Sequence, residues 1–222
     1  MHLGGLNPFA EYKRIKIFAE RNTGSIYLEW LLKNNFKVEL ADFYTLGWKH
    51  RVAPSKEEIS EELRKELVFL CLVKNPYSWL LSMHRRPYQH EELAKLTFSQ
   101  FIRFSYGDYK NPIQLWNIKN KSYLLLSQYT EKHHIIKYET LLREPKDTLH
   151  SLAEKFSIAK SFGWFKDNDH YMTNHHGILP QKFHKDHYLH ETWRGLFLKE
   201  DIDFINQELD GNLMKELAYL FL

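Results

Sequence analysis

Seven consecutive apolar residues, LVFLCLV at positions 67 to 73, stand between the charged stretch EELRKE and an Asn-Pro pair. The run is short for a buried helix, carries aromatic and β-branched members, and has no polar residue at alternate positions. It therefore reads as a strand buried on both faces, and such a strand needs helices above and below it. The remaining chain supplies the alternation that this requires. A strand is predicted over Arg14 to Glu20, followed by a helix with Leu28, Leu31 and Leu32 at helical spacing and a stop at Asn34-Asn35. Further strands are predicted over 36–41 and in HIIKYE at 134–139. Helical signals follow at Ser55 with Glu58, at Asn75-Pro76, at Thr97 with Gln100, in the stripe Leu149, Leu152, Ala153, Phe156, and in the C-terminal series Ile202, Ile205, Leu209, Leu213, Leu217. Strands alternating with helices define an α/β, three-layer fold, a central mostly parallel sheet flanked by helices.

At 222 residues there is material for one sizeable core, so residues 13–222 are expected to form a single domain behind a lead-in at 1–12. The net charge of +3, with no basic run, does not suit a nucleic-acid partner. Cys71 is the only cysteine, so no internal disulfide forms, which fits a reducing, cytoplasmic location. The opening MHLGGLNPFAEYK has neither a long apolar segment nor a basic flank before one; neither a signal peptide nor a membrane span is expected.

In parallel sheets ligands bind beyond the carboxyl ends of the strands. Three polar clusters follow predicted strands: Arg21 to Ser25, Lys49-His50, and Lys74-Asn75. They are expected to converge on one edge. The first sits in RIKIFAERNTGSIYLEWLLKNN, a strand, a turn with one glycine, and a helix. Such a turn aims backbone N–H groups and the positive end of a helix at one point, which suits a phosphate. A nucleotide-binding P-loop, however, ends in Gly-Lys-Ser/Thr, and here Gly24 is followed by Ser25, Ile26 and Tyr27. An anion cradle and an ordinary capped strand–helix turn both satisfy this stretch. At the end of the apolar strand stands Lys74, where a magnesium-dependent NTPase often places an aspartate. Ser78 and Ser82 share a helical edge with Asn75, so Lys74 with Ser82 reads either as a second anion pocket or as a solvated lysine and a surface serine.

RNTGSIYL followed by VKNPYSWLLSMHRRPY resembles the PAPS-dependent sulfotransferase family, whose donor, 3′-phosphoadenosine 5′-phosphosulfate, carries two separated anionic groups. The likeness extends to HHIIKYETLLREP and to YLHETWRGLFLKEDIDFINQELDGNLMKELAY. It implies a P-loop-nucleotide-kinase-like fold with PAPS as sulfate donor and no required metal. It also implies that the amides of Asn22, Thr23, Gly24, Ser25 and Ile26 cradle the 5′-phosphate, that Tyr27 lies against the adenine, and that Lys74 with Ser82 binds the 3′-phosphate. The cytosolic members carry lysine two residues before the turn glycine, where this chain has Asn22; Arg21 is the cation left for that role. Their late Arg-Lys-Gly element has no clear counterpart, and Lys182 and Lys185 are the nearest cations.

Sulfuryl transfer to a hydroxyl needs a base for the proton and positive charge for the leaving phosphate. Family members place a His or Glu base after the second strand. His50 in LGWKHRV fills that role by resemblance, with Lys49 as the companion cation. The acceptor is expected to be a hydroxyl on a small molecule or glycan, with carbohydrate first. Two alternatives share the architecture: a P-loop kinase-like phosphotransferase, and a non-catalytic binder of sulfated or phosphorylated ligands. Other signals are weaker. HHGILPQKFHKDHYLH holds five of the thirteen histidines, but the pairs His175-His176 and His184-His187 lack further metal-ligand spacing. Arg85 and Arg86 face either an acidic acceptor or solvent. The aromatics of GWFKDNDHYM line a sugar site or pack in the interior.

Overall fold

The computed structural model describes residues 12–88, 90–173, 177–183 and 185–222. Strand β1 (Lys13–Ala19) pairs in parallel with β2 (Val38–Leu40) on one side and β3 (Val68–Val73) on the other, and β3 pairs in parallel with β4 (His133–Lys137). The sheet order is thus β2-β1-β3-β4, the parallel arrangement expected from the alternation of elements.

All six residues of β3 are buried. Val68, Leu70 and Leu72 join Ile15, Ile17 and Ala19 of β1 in a core with α1 (Ser25–Asn35), α6 (Tyr138–Arg143) and α7 (Pro145–Lys155). Phe69, Cys71 and Val73 face the other way, with Phe18, into a core shared with α3 (Pro76–Arg85), α5 (Pro112–Leu125) and α9 (Lys199–Glu208). Each fully buried Leu or Phe contributes about 1.5–3 kcal/mol over its exposed state, which is why a strand with no polar face is stable here. Burial also pushes the Cys71 thiol well above its ordinary pKa, so it stays a packing residue. Lys16 shares the Phe18 face. Its ammonium is buried against the carbonyls of Asp42 (2.7 Å) and Gly47 (2.6 Å), tying the chain after β2 to the central strand.

The local signals mostly act as expected. Asn75 caps α3 by accepting from Tyr77 N–H at 3.0 Å, with Pro76 in the first turn, and Thr97 with Gln100 completes a capping box on α4 (Phe98–Phe101). Two boundaries move. Ser55 N–H does donate to Glu58 (2.8 Å), but the Glu58 carboxylate is also held by Arg51 (2.6 Å) and the chain then turns Ile59 fully inward. The helix restarts later, as α2 (Glu61–Glu66) under a Ser60 cap. The last sheet strand ends at Lys137, and the Tyr138-Glu139 pair opens α6 instead of extending it. There Glu139 accepts from Asn75 N–H and from the Tyr219 hydroxyl, both at 2.9 Å.

After α7, β5 (His170–Thr173) and β6 (Gly177–Lys182) form a separate antiparallel pair, followed by α8 (Lys185–Leu189) and, near the end, α10 (Gly211–Glu216). The expected lead-in at 1–12 lies outside the described residues apart from Tyr12, and so do His175, His176 and His184. Among the described residues no group of side chains is arranged to hold a metal, and no helix is long and apolar enough to cross a membrane.

Candidate functional site

The chain leaves the end of β1 through a turn built on two left-handed residues, Asn22 (φ 62°) and Gly24 (φ 90°). Gly24 is required twice over. Its backbone conformation is costly for any side chain, and a Cβ there would lie 2.6 Å from Cε2 of Tyr138. Tyr138 thus presses the turn from the side of β4. The Thr23 hydroxyl is buried and donates to the Glu20 carbonyl at 2.5 Å, so it braces the turn and does not face a ligand. Helix α1 starts directly after Gly24, and its ladder begins with Leu28 N–H donating to the Gly24 carbonyl (3.1 Å). The N–H groups of Ser25, Ile26 and Tyr27 precede that first bond, and with the helix dipole they form a positive end open to an anion.

Lys74 directly follows β3 and is 1% exposed. Its ammonium donates to Ser82 Oγ at 3.0 Å, and to the Asn22 carbonyl at 3.3 Å. The first and third clusters are therefore in direct contact. The ammonium also lies 4.8 Å from the Tyr138 ring centre and 4.2 Å from that of Tyr188, a cation held between two aromatic faces. Burial lowers the Lys74 pKa, while Tyr188 and Glu139 work against that shift. An incoming anion would do the same more strongly. The phenol of Tyr188 is pushed up by its own burial, yet Lys74, Ser82 and Arg85 outweigh this and bring it below the ordinary tyrosine range.

His50 lies at the same edge. Its Nδ1 is 2.5 Å from the carbonyl oxygen of Ala19, the last residue of β1, and its ring meets Trp48 edge-on at 4.8 Å. A carbonyl only accepts, so Nδ1 carries the proton and Nε2 is left with a free lone pair. Burial lowers the His50 pKa to about 4; the Ala19 bond opposes this, and Lys49, Arg21 and Lys119 add to it.

These groups line one cavity of about 480 Å³. Arg21, Asn22, Gly24, Ser25, Ile26 and Tyr27 form one wall, with His50, Lys74 and Ser82 beside them. Arg85, Arg86 and Lys185 complete a set of five cationic side chains, and none of the described lining residues is Asp or Glu. The Arg21 guanidinium lies over Trp48 (4.8 Å to the ring centre) and near Tyr88 (5.5 Å), at the His50 end. Tyr27 contributes its ring to the wall while its hydroxyl bonds Asp167 at 2.5 Å, with Lys185 closing the group at 2.9 Å from Asp167.

Two sequence candidates are not brought here. Lys49 lies in a turn closed by Arg51 N–H on the Trp48 carbonyl and pairs with Glu29 at 2.5 Å, lining a different cavity. Lys182 is turned toward Asp169 (3.6 Å), whereas Lys185 reaches the cavity. The aromatic stretch divides: Phe165 packs edge-on against His150 (5.9 Å), but Trp164 is 95% exposed. Four contacts have no sequence signal: Glu20 with Lys119, Lys119 with the His50 carbonyl, Tyr138 against Gly24, and Tyr188 beside Lys74. Tyr138 and Tyr188 lie in the two later stretches of resemblance, but nothing local in them marks these contacts.

No family profile matches the chain, and no curated protein matches it. Among solved structures it is similar to the sulfotransferase domain from the curacin biosynthetic pathway, with 19% identity and a TM-score of 0.49 over 83% of this chain. It is also similar to the sulfotransferase domain from the Synechococcus PCC 7002 olefin synthase, with 18% identity and a TM-score of 0.46 over 83% of this chain. The chain spans 63% and 59% of the lengths of those two domains.

Proposed function

We propose that the protein is a PAPS-dependent sulfotransferase acting on a hydroxyl of a small molecule or glycan, with residues 13–222 as its catalytic domain and the cytoplasm as its compartment. One observation carries the reading. Two anion-binding devices open into a single cavity that has five cations and, among its described residues, no carboxylate: the first turn of α1, and the buried Lys74–Ser82 pair. A doubly anionic nucleotide has one anionic group for each device. A Mg²⁺-NTP would instead call for acidic side chains near its phosphates.

PAPS supplies the activated sulfuryl group. The amides at the start of α1, with Arg21, hold the 5′ side and take up charge as the leaving phosphate forms. Lys74 and Ser82 hold the 3′-phosphate, and Arg85 and Arg86 add positive charge beside them. Tyr27 offers a ring face to the base. His50 Nε2 accepts the acceptor's hydroxyl proton as its oxygen attacks sulfur, and the sulfur–oxygen bond to the 5′-phosphate breaks. Lys49, paired with Glu29, has no part in this scheme.

Calorimetry with 3′-phosphoadenosine 5′-phosphate (PAP) should give saturable binding, while ATP with Mg²⁺ should not compete. His50→Ala should retain PAP binding and lose roughly 10²–10⁴-fold in turnover, the usual worth of a positioned base. Absence of PAP binding would end the assignment; full turnover in His50→Ala would remove only the base.

A further inference from the structure

Behind the cavity lies an ion pair that the scheme above does not use. Glu20 and Lys119 have side chains only 5% and 8% exposed, and their charged ends are 2.6 Å apart. Lys119 comes from α5, on the far side of the sheet edge, and does not line the cavity. Its ammonium also donates to the backbone carbonyl of His50. The other oxygen of Glu20 accepts the Arg21 N–H at 2.7 Å, and the Glu20 carbonyl accepts the Thr23 hydroxyl. Ala19 N–H donates to the Lys49 carbonyl (2.9 Å), and the Ala19 carbonyl receives His50 Nδ1. The bonds at Glu20 brace the anion turn, the two at Ala19 tie the end of β1 to the His50 segment, and Lys119 bridges the two through the ion pair and the His50 carbonyl.

We propose that Lys119 is a positioning residue, which by clamping the Glu20 carboxylate and the His50 carbonyl together sets the imidazole at a fixed place and in one tautomer relative to the anion turn. A buried ammonium is costly unless it is paired and hydrogen-bonded, and here two of its three donors serve a carboxylate and a carbonyl on two different segments. A pair that only neutralised charge would not need the second contact. The charged groups around the ring are Lys49, Arg21 and Lys119, the first paired with Glu29 and the last with Glu20. Lys119 is the one among them that also grips the His50 backbone. Burial is the main reason the ring stays neutral, with the Lys119 ammonium adding to it after Lys49 and Arg21; the grip of Lys119 on the His50 carbonyl keeps Nδ1 on Ala19.

The catalytic consequence rests on the sulfotransferase reading; the effect on His50 does not. Side-chain ¹H–¹⁵N NMR, with His50→Gln to assign the signal, reports both tautomer and titration. In the wild type His50 should be the Nδ1–H tautomer. In Lys119→Met its pKa should rise and the tautomers should mix, and Lys119→Arg should restore the wild-type form. PAP affinity should stay within about threefold while turnover falls about 10–100-fold, the scale of a small misplacement of a reacting group. Should Lys119→Met fail to fold, Glu20→Gln/Lys119→Met leaves no unpaired charge and is read by tautomer mixing and the same split. A folded variant with the wild-type His50 tautomer, or with unchanged turnover, overturns the proposal. If the wild type binds no PAP, the sulfotransferase reading falls, and the tautomer alone decides the role of Lys119.

Discussion

At the scale of single residues, the site depends on side chains whose neighbours come from distant parts of the chain. Gly24 was legible as a turn glycine, but the reason no other residue fits is Tyr138, over a hundred positions later. Gly24→Ala should therefore cost more than the roughly 1–2 kcal/mol of a left-handed alanine, because the added carbon meets the ring at 2.6 Å. Gly107 is the control: it too has a positive φ, 58°, but a Cβ there meets nothing within 4 Å. Gly24→Ala should weaken PAP binding and lower the melting temperature, while Gly107→Ala should show the smaller backbone penalty and intact binding. His50 gives a second residue-scale test. With its folded pKa lowered to about 4, below the ordinary value near 6.5, the unfolded chain takes up the proton first. The sign is that stability linked to His50 is fully present above about pH 6.5 and is lost as pH falls toward about 4. His50→Gln should remove up to about 3 kcal/mol of that acid-side slope in urea titrations at pH 7 and pH 4. The acid limb of free-enzyme turnover should likewise fall near pH 4 and not near 6.5.

At the scale of elements, what was readable were devices confined to a few adjacent residues. The apolar β3, the Asn75-Pro76 start of α3 and the Thr97–Gln100 box need only their own neighbours, and they formed as read. The Ser55–Glu58 pattern did not start a helix: Glu58 is anchored by Ser55 N–H through one oxygen and by Arg51 through the other, and Ile59 is drawn into the core. Helix α5 escaped notice for a related reason. Its buried side includes Lys119 and Asn120 beside Ile113, Leu115 and Trp116, so it lacks a clean apolar stripe. A lysine on an inward face makes sense only once Glu20 is known to wait there. The stability of α5 against the sheet should show this. Lys119→Met strands a buried carboxylate and should cost about 3–5 kcal/mol, whereas Glu20→Gln/Lys119→Met should recover most of the loss. Denaturant midpoints of the two variants and wild type make the comparison.

At the scale of the whole molecule, function is carried by where charge sits and not by how much there is. A net charge of +3 is unremarked in the composition, yet five cations meet in one cavity whose described lining has no acid. The parallel topology made half of this foreseeable: β1, the chain after β2, and β3 all end at one edge, so Arg21–Tyr27, His50 and Lys74 had to approach each other. The other wall comes from Asn168, in the irregular chain before β5, and from Lys185 and Tyr188 of the short α8, whose placement no local pattern dictates. The two anion sites should be separable by ligand. Adenosine 5′-phosphate engages only the α1 turn, whereas PAP adds a second phosphate for Lys74 and Ser82. Charge-assisted hydrogen bonds are worth about 1.5–3 kcal/mol each, so PAP should bind roughly 10–100-fold more tightly than adenosine 5′-phosphate. Lys74→Met should erase most of that ratio and leave the affinity for adenosine 5′-phosphate nearly unchanged. Arg21→Met should do the reverse, weakening both nucleotides together and preserving the ratio. Calorimetric titration of both nucleotides against the three proteins completes the cycle, and equal losses for both nucleotides in Lys74→Met would place the second phosphate elsewhere.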